Sequence, residues 1–164
     1  MQHKKEKFRL LSGLEENRQA LLELVQLAQF SIQWFTQDME YLLTDNKEFY
    51  NAILTFCKRS HNSRLQILLH DSKSLMGRGH RLINLAQRLT SKIEIRATNA
   101  EIVKQQPSAF LLVDNRHFYI KPVATQWRAK LQLDNPLECK NNQSLFIDAW
   151  EISPADTQVR RLGI

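Results

Sequence analysis

Pro107-Ser108-Ala109-Phe110-Leu111-Leu112-Val113-Asp114 is an apolar run that closes on an acid. From Ala109 to Val113 every residue is apolar, which is too much hydrophobic surface for the edge of a sheet and predicts a strand covered on both faces. Asp114-Asn115-Arg116 supplies turn chemistry, and His117-Phe118-Tyr119-Ile120-Lys121 then alternates polar with apolar residues. A hairpin from about 109 to 121 follows. Alternation also sorts the first strand: positions 107, 109, 111 and 113 share one face.

Upstream, Leu14, Leu21, Val25 and Ala28 recur at helical spacing and predict an amphipathic helix over about 15–29. Residues 31–36, with Ile32, Trp34 and Phe35, read as a strand. Asp45-Asn46-Lys47-Glu48 carries an N-cap acceptor ahead of the apolar stripe Phe49, Ala52, Ile53, Phe56 and Cys57, so a second helix runs to near Ser60. Residues 64–70 read as a buried strand that delivers His70 and Asp71 to its C-terminal end. A loop over 71–79 then opens a helix with Leu82, Ile83, Ala86 and Leu89 on its core face. Residues 93–97 alternate like a strand nearer the sheet edge, and 99–106 read as a polar connector. Between 123 and 141 only the Asn135-Pro136 turn is legible, before a last helix carrying Leu145, Phe146, Ala149 and Trp150. The order α-β-α-β-α-β-β-β-α predicts an α/β fold, a mixed β-sheet flanked by helices. No linker or repeat interrupts it. One domain over 1–164 is expected, with its core about 29–153 and the 15–29 helix packed on it.

The chain has 164 residues with 43% hydrophobic content, enough for a continuous core. Lys and Arg total 23 against 17 Asp and Glu, a net charge of +6, which favours anionic partners without choosing among them. Cys57 and Cys139 lie far apart, and the basic N-terminal residues lead into no apolar signal core, so reduced cysteines and a cytoplasmic setting are expected. No segment approaches the roughly 20 apolar residues of a membrane span. No Cys, His and carboxylate set has zinc spacing, and neither metal nor cofactor is expected.

The element order, the 109–121 hairpin and the ending Phe146-Ile147-Asp148-Ala149-Trp150 resemble one half of a phospholipase D-like domain, over about Gln29 to Ser153. More narrowly, Phe35-Thr36-Gln37-Asp38-Met39-Glu40, Leu68-Leu69-His70-Asp71-Ser72 and Arg78-Gly79-His80-Arg81-Leu82 resemble a bacterial family of phospholipase D-like domains of unknown function. That resemblance implies a functional link to an acetyltransferase, to which some members are attached. Active members of the superfamily carry His-x-Lys-x4-Asp. With Asp114 as its Asp, the His position holds Pro107 and the Lys position holds Ala109. The His attacks phosphorus and the Lys neutralises phosphate oxygens, so the resemblance implies a domain without the family's catalysis. Because active enzymes combine two halves, it also implies a homodimer.

Polar chemistry concentrates in two places. His70-Asp71-Ser72-Lys73-Ser74-Leu75-Met76-Gly77-Arg78-Gly79-His80-Arg81 holds two of the four glycines between a strand end and a helix start. Backbone N–H groups, Arg78, Arg81, His80 and Ser72 would there bind a phosphate or other anion, with Asp71 at the rim. The alternative is an ordinary turn with solvated arginines. His117, Tyr119 and Lys121 project from one strand face and would line the same cleft as Asp114, or form a solvent-facing stripe. The candidate ligand-binding set is therefore Asp71, Ser72, Arg78, His80, Arg81, Asp114, Tyr119 and Lys121. Trp127, between Gln126 and Arg128, points to nucleic acid as a second possible partner, whereas Trp34 and Trp150 read as core. A third reading is a phosphodiesterase-like enzyme using His80 or His117 beside Asp71 or Asp114. Arg160-Arg161 reads as a solvated tail.

Overall fold

The structure is a computed structural model, and it describes residues 6–155. Arg160-Arg161 lies outside them. Seven strands form one mixed sheet in the order β1-β7-β6-β5-β2-β3-β4. They are β1 (Phe8–Leu11), β2 (Ser31–Thr36), β3 (Arg64–Leu69), β4 (Ile93–Ala97), β5 (Ala109–Val113), β6 (His117–Lys121) and β7 (Ala129–Gln132). The helices are α1 (Leu14–Leu27), α2 (Tyr41–Thr44), α3 (Lys47–Arg59), α4 (Ser72–Arg78), α5 (Arg81–Arg88), α6 (Ala100–Gln105) and α7 (Pro136–Ile152).

β5 is central and wholly buried, as its uninterrupted apolar run requires. It pairs antiparallel with both β2 and β6, while β2, β3 and β4 run parallel. Asp114 and Asn115 both take left-handed φ values, 54° and 56°, in the tight turn that closes the β5–β6 hairpin. One sheet face, with Ile32, Trp34, Leu111, Tyr119 and Leu131, packs against apolar residues of α1, α3 and α5. The other, with Phe35, Leu68, Phe110, Leu112 and Phe118, packs against Cys139, Phe146, Ala149 and Trp150 of α7. Trp34 and Trp150 are core, as their apolar neighbours indicate.

Five stretches differ from the sequence reading, and the first is the connection after β2, which holds the one-turn helix α2. The basic lead holds β1, which adds to β7 at the sheet edge; four residues are too few for periodicity to show. The loop of 71–79 contains α4, and the connector of 99–106 contains α6, capped by Asn99 accepting from Ile102 N–H at 2.9 Å. Both are short polar helices with little apolar stripe. The unread 123–141 segment holds β7 and the start of α7, where Asn135 is the N-cap and Pro136 the first helical residue. No helix among the described residues is long and apolar enough to cross a membrane.

Candidate functional site

The parallel strands β2, β3 and β4 end at the same rim of the sheet where β5 begins and β6 ends. Open α/β sheets place ligands at such carboxyl ends, beside the point where strand direction changes. Two adjoining clefts lie there and share Gln37, Ala124 and Thr125. The larger, about 630 Å³, is lined by His70, Asp71, Thr98, Asn99, Lys104 and Ser108 among others. The smaller, about 260 Å³, is bounded by Asp38, Glu40, Tyr41, Lys121 and Trp127.

Lys121 organises the smaller cleft. It sits directly across from Ala109 in the β5–β6 register, so its side chain leaves the same sheet face at the same level. Its Nζ lies 2.9 and 3.1 Å from the two carboxylate oxygens of Glu40, with Lys121 2% and Glu40 6% exposed. The ammonium also stands 4.7 Å from the centre of the Trp127 ring. Burial pushes the Glu40 carboxyl above its ordinary value even though Lys121 pulls it down. The carboxylate is delivered by an unusual backbone: Met39 and Glu40 take successive left-handed φ values of 58° and 50°, and Asp38 Oδ1 accepts the Glu40 N–H at 2.9 Å. Two adjacent non-glycine residues in that region store strain, which surrounding structure must hold.

Below Lys121, the Tyr119 hydroxyl donates to Asn17 Oδ1 at 2.6 Å, and the Asn17 amide donates to the carbonyls of Gly13 and Trp127. Tyr119 is thereby buried under α1, and burial drives its hydroxyl pKa upward. His117, Tyr119 and Lys121 do share one face, but Tyr119 and Lys121 are buried in it and His117 is half-buried at the Asp114 end, so the three neither form a solvent-facing stripe nor line one cleft with Asp114.

Asp114 stands at the opposite end of β5, roughly 15 Å away by strand rise. It is 8% exposed and accepts three backbone N–H groups, from Gln29, Phe30 and Ser31, each at 2.9 Å. Its carboxylate ties the entry of β2 to the hairpin turn. His117 is at the same end, where its Nδ1 accepts the Asp134 N–H at 2.9 Å.

The 70–81 segment is divided among several tasks. Asp71 lines the larger cleft and Ser72 begins α4. The Arg78 guanidinium lies 4.2 Å from the centre of the Tyr41 ring, and Arg81 is engaged by the Asp45 carboxylate and carbonyl. His80, 4% exposed, caps α5: its Nδ1 accepts the Leu82 N–H at 3.1 Å, which leaves Nε2 as the donor to Thr44 Oγ1 at 2.9 Å. The Thr44 hydroxyl then donates to the Met39 carbonyl at 2.6 Å, so this chain braces the strained turn. Burial lowers the His80 pKa to about 4. Of the eight candidates, Asp71 and Lys121 reach the clefts. The others support or lie outside them.

His70 is the cleft residue that pattern reading did not single out, although it stands at the end of a buried strand. Its Nδ1 lies 2.6 Å from Thr98 Oγ1, its ring meets Phe35 edge-on at 4.4 Å, and Nε2 has no protein partner. Burial lowers its pKa to about 4, so the ring is neutral near pH 7. The Thr36 hydroxyl, at the end of β2, likewise has no protein partner. Gln37, Thr98, Asn99 and Lys104 enter the site from strand ends and from α6, where sequence showed only polar connections. No group of three or more metal-ligating side chains converges among the described residues.

This arrangement of sheet and flanking helices is a phospholipase D-like fold, which the likeness to solved structures shows. The chain is similar to TrmBL2, an archaeal chromatin protein described as having a novel mode of DNA binding, at 16% identity and TM-score 0.68, over 95% of this chain and 57% of that one. It is similar to Nuc from Salmonella typhimurium, a phospholipase D family member, at 15% identity and TM-score 0.62, over 91% of this chain and 97% of that one. NucT from Helicobacter pylori matches at 13% identity and TM-score 0.61, over 92% and 99%. The chain spans somewhat more than half of TrmBL2. It belongs to the family described as Domain of unknown function (DUF7931), whose model matches residues 13–162. No curated protein matches the sequence.

Proposed function

We propose that this chain is a non-catalytic phospholipase D-like module that holds a phosphate-containing or other anionic ligand in the paired cleft at the carboxyl ends of β2–β4. The observation that carries the reading is the Ala109–Lys121 pair. Where the family's strand would present a lysine, this chain has Ala109, and the lysine at that level comes from β6 with its charge matched by Glu40. Pro107 occupies the nucleophile's position and lines the larger cleft as a wall. A phosphoryl transfer needs a nucleophile and an uncompensated cation at one phosphorus, and that strand face supplies neither. Hydrogen-bonding groups remain in Gln37, Thr98, Asn99 and Ser108, with Lys104 as the cation of the larger cleft.

The ring nitrogens of His80 are both engaged within the fold, and His117 stands at the far end of the sheet. An enzymatic alternative therefore passes to His70. The reading extends to one domain over 1–164, a cytoplasmic setting, a homodimer, and a partner acetyltransferase as in the resembling family. Native mass spectrometry decides the dimer.

The test measures hydrolysis of bis(4-nitrophenyl) phosphate and, separately, thermal shift with inorganic phosphate and nucleoside monophosphates. No turnover is expected, together with a ligand-induced shift that Lys104→Ala and Asn99→Ala diminish. Turnover abolished by His70→Ala or His80→Ala overturns the non-catalytic reading, and a shift indifferent to Lys104 and Asn99 removes the cleft as the binding place.

A further inference from the structure

The sheet end opposite the clefts gathers four Lys and Arg side chains, Lys58, Arg59, Arg64 and Lys92. There α1 hands over to β2 through residues 28–30, and α3 gives way to β3 within Lys58-Arg59-Ser60-His61-Asn62-Ser63-Arg64. Lys58, Arg59, His61 and Arg64 are exposed and Lys92 is half-buried. Backbone contacts draw them together: Arg59 Nη1 donates to the Ala28 carbonyl, Arg64 Nη1 to those of His61 and Ser63 at 2.8 Å, and Lys92 Nζ to that of Ser60 at 2.7 Å. Among the described residues none of these four Lys and Arg side chains is in a salt bridge.

Cations that cap carbonyls at a helix C-terminus are ordinary structural devices. Two features exceed that role. Each arginine uses a single guanidinium nitrogen on these carbonyls, and a guanidinium carries five N–H groups, so most of the donors stay free on an exposed side chain. Lys58 caps nothing in the structure. Second, Phe30 is 51% exposed, and its backbone joins the group, its carbonyl accepting the Arg64 N–H at 3.0 Å. The acid whose contacts reach this segment is Asp114, 8% exposed, with its oxygens directed at the N–H groups of residues 29–31. A half-exposed ring whose backbone joins a group of cations, with the neutral donors His61 and Asn62 in the same segment as Arg59 and Arg64, has the chemistry that matches one kind of polymer.

We infer that Phe30, Lys58, Arg59, Arg64 and Lys92 form a binding surface for single-stranded nucleic acid, at the end of the sheet remote from the paired cleft. The cations follow the phosphate backbone, Phe30 takes a base on its face, and Asn62 and His61 contribute hydrogen bonds that fix position without selecting sequence. This surface is independent of the ligand proposed for the cleft. Trp127, half-buried against the core cluster and beside Lys121 in the smaller cleft, takes no part.

Fluorescence anisotropy with a labelled mixed-sequence 20-mer, read across salt concentration, tests the surface. Four neutralised phosphates give a log–log slope of roughly −3 for a single strand. Lys58→Glu with Arg64→Glu is expected to weaken binding on the order of tenfold or more and to flatten the slope. Phe30→Ala weakens it roughly fivefold or more with the slope unchanged. Lys47→Glu with Lys140→Glu, exposed cations elsewhere, leaves affinity as it was. Circular dichroism verifies each fold, and Lys58→Glu alone replaces the double variant if that one unfolds. Equal weakening by the two charge-reversed pairs overturns the inference, as does tighter binding to a duplex, or binding to phosphatidylglycerol vesicles without binding to the oligonucleotide.

Discussion

Lys121 and Glu40, 81 residues apart, close an ion pair inside the protein at 2.9 Å, across from the alanine that β5 presents at the same level. Burying two charges is repaid only by good mutual geometry, and their removal from water gives the pair little net stabilising value. Its weight lies in what happens when one partner goes.

Glu40→Gln leaves a buried ammonium facing a neutral amide, and the expected loss is about 3 kcal/mol. Glu40→Leu with Lys121→Met removes both charges and should recover most of it. Urea denaturation of the two variants measures the difference. A single variant as stable as the parent would show that the pair is hydrated rather than buried.

Stability should fall as the solution is acidified from about pH 6.5 to pH 4. His70 and His80 have folded values near 4 against an ordinary value of 6.5, and burial lowers His117 as well. In that window the unfolded chain binds more protons than the folded one, so the contribution is complete above pH 6.5 and lost as pH drops through the folded values. Glu40, raised by burial, acts in the opposite sense. Protonating His80 also places a hydrogen against the Leu82 N–H and breaks the α5 cap. Chemical melts at pH 7, 5.5 and 4.5 give the slope, and a flat profile would contradict the burial of these rings.

Asp114→Ala strands three backbone N–H groups at the entry of β2, those of Phe30 and Ser31 on Oδ1 and that of Gln29 on Oδ2. Charge-assisted bonds of this kind contribute about 1.5–3 kcal/mol each in isolation, though they share one carboxylate and do not add. A loss of at least about 3 kcal/mol is expected, with Asp114→Asn in between. The melting temperature reads both, and ligand binding at the distant cleft in the folded fraction should be unchanged.

Cys57 and Cys139 are buried, and burial pushes each thiol up to about 11. Little thiolate exists at neutral pH, so modification by 5,5′-dithiobis(2-nitrobenzoate) should proceed only as fast as the protein opens. Rapid labelling of the native protein at pH 7.5 would refute that.

The apolar run 109–113 and its turn were enough to identify a central strand, and alternation correctly assigned which residues share each face. Helix α3 announced itself through Asn46 and the Phe49–Ile53–Phe56 stripe, because a cap and a periodic face are written within a few residues of one another. Helices α4 and α6 and the edge strand β1 did not: they are short, lack a full apolar stripe, and exist through what they pack against. The site divided in the same way. His70 and Asp71 were placed correctly at a strand end, while Tyr119, Lys121 and His80 read as ligand-binding groups, or for the two strand residues as a solvent-facing stripe, and are instead buried.

The sequence alone was enough for the order of α1, β2, α3, β3, α5, β4, β5, β6 and α7, for the buried character of β5, and for the absence of His and Lys at 107 and 109. Those are properties of neighbouring residues and their period. Only the tertiary structure decided that Lys121 would meet Glu40, that Tyr119 would meet Asn17 102 residues away, and that Asp114 would brace β2 at the end of the sheet remote from the clefts. A polar side chain on a strand has the same local pattern whether it faces water or a buried partner. The helix that covers it supplies the difference, and that helix comes from elsewhere in the chain.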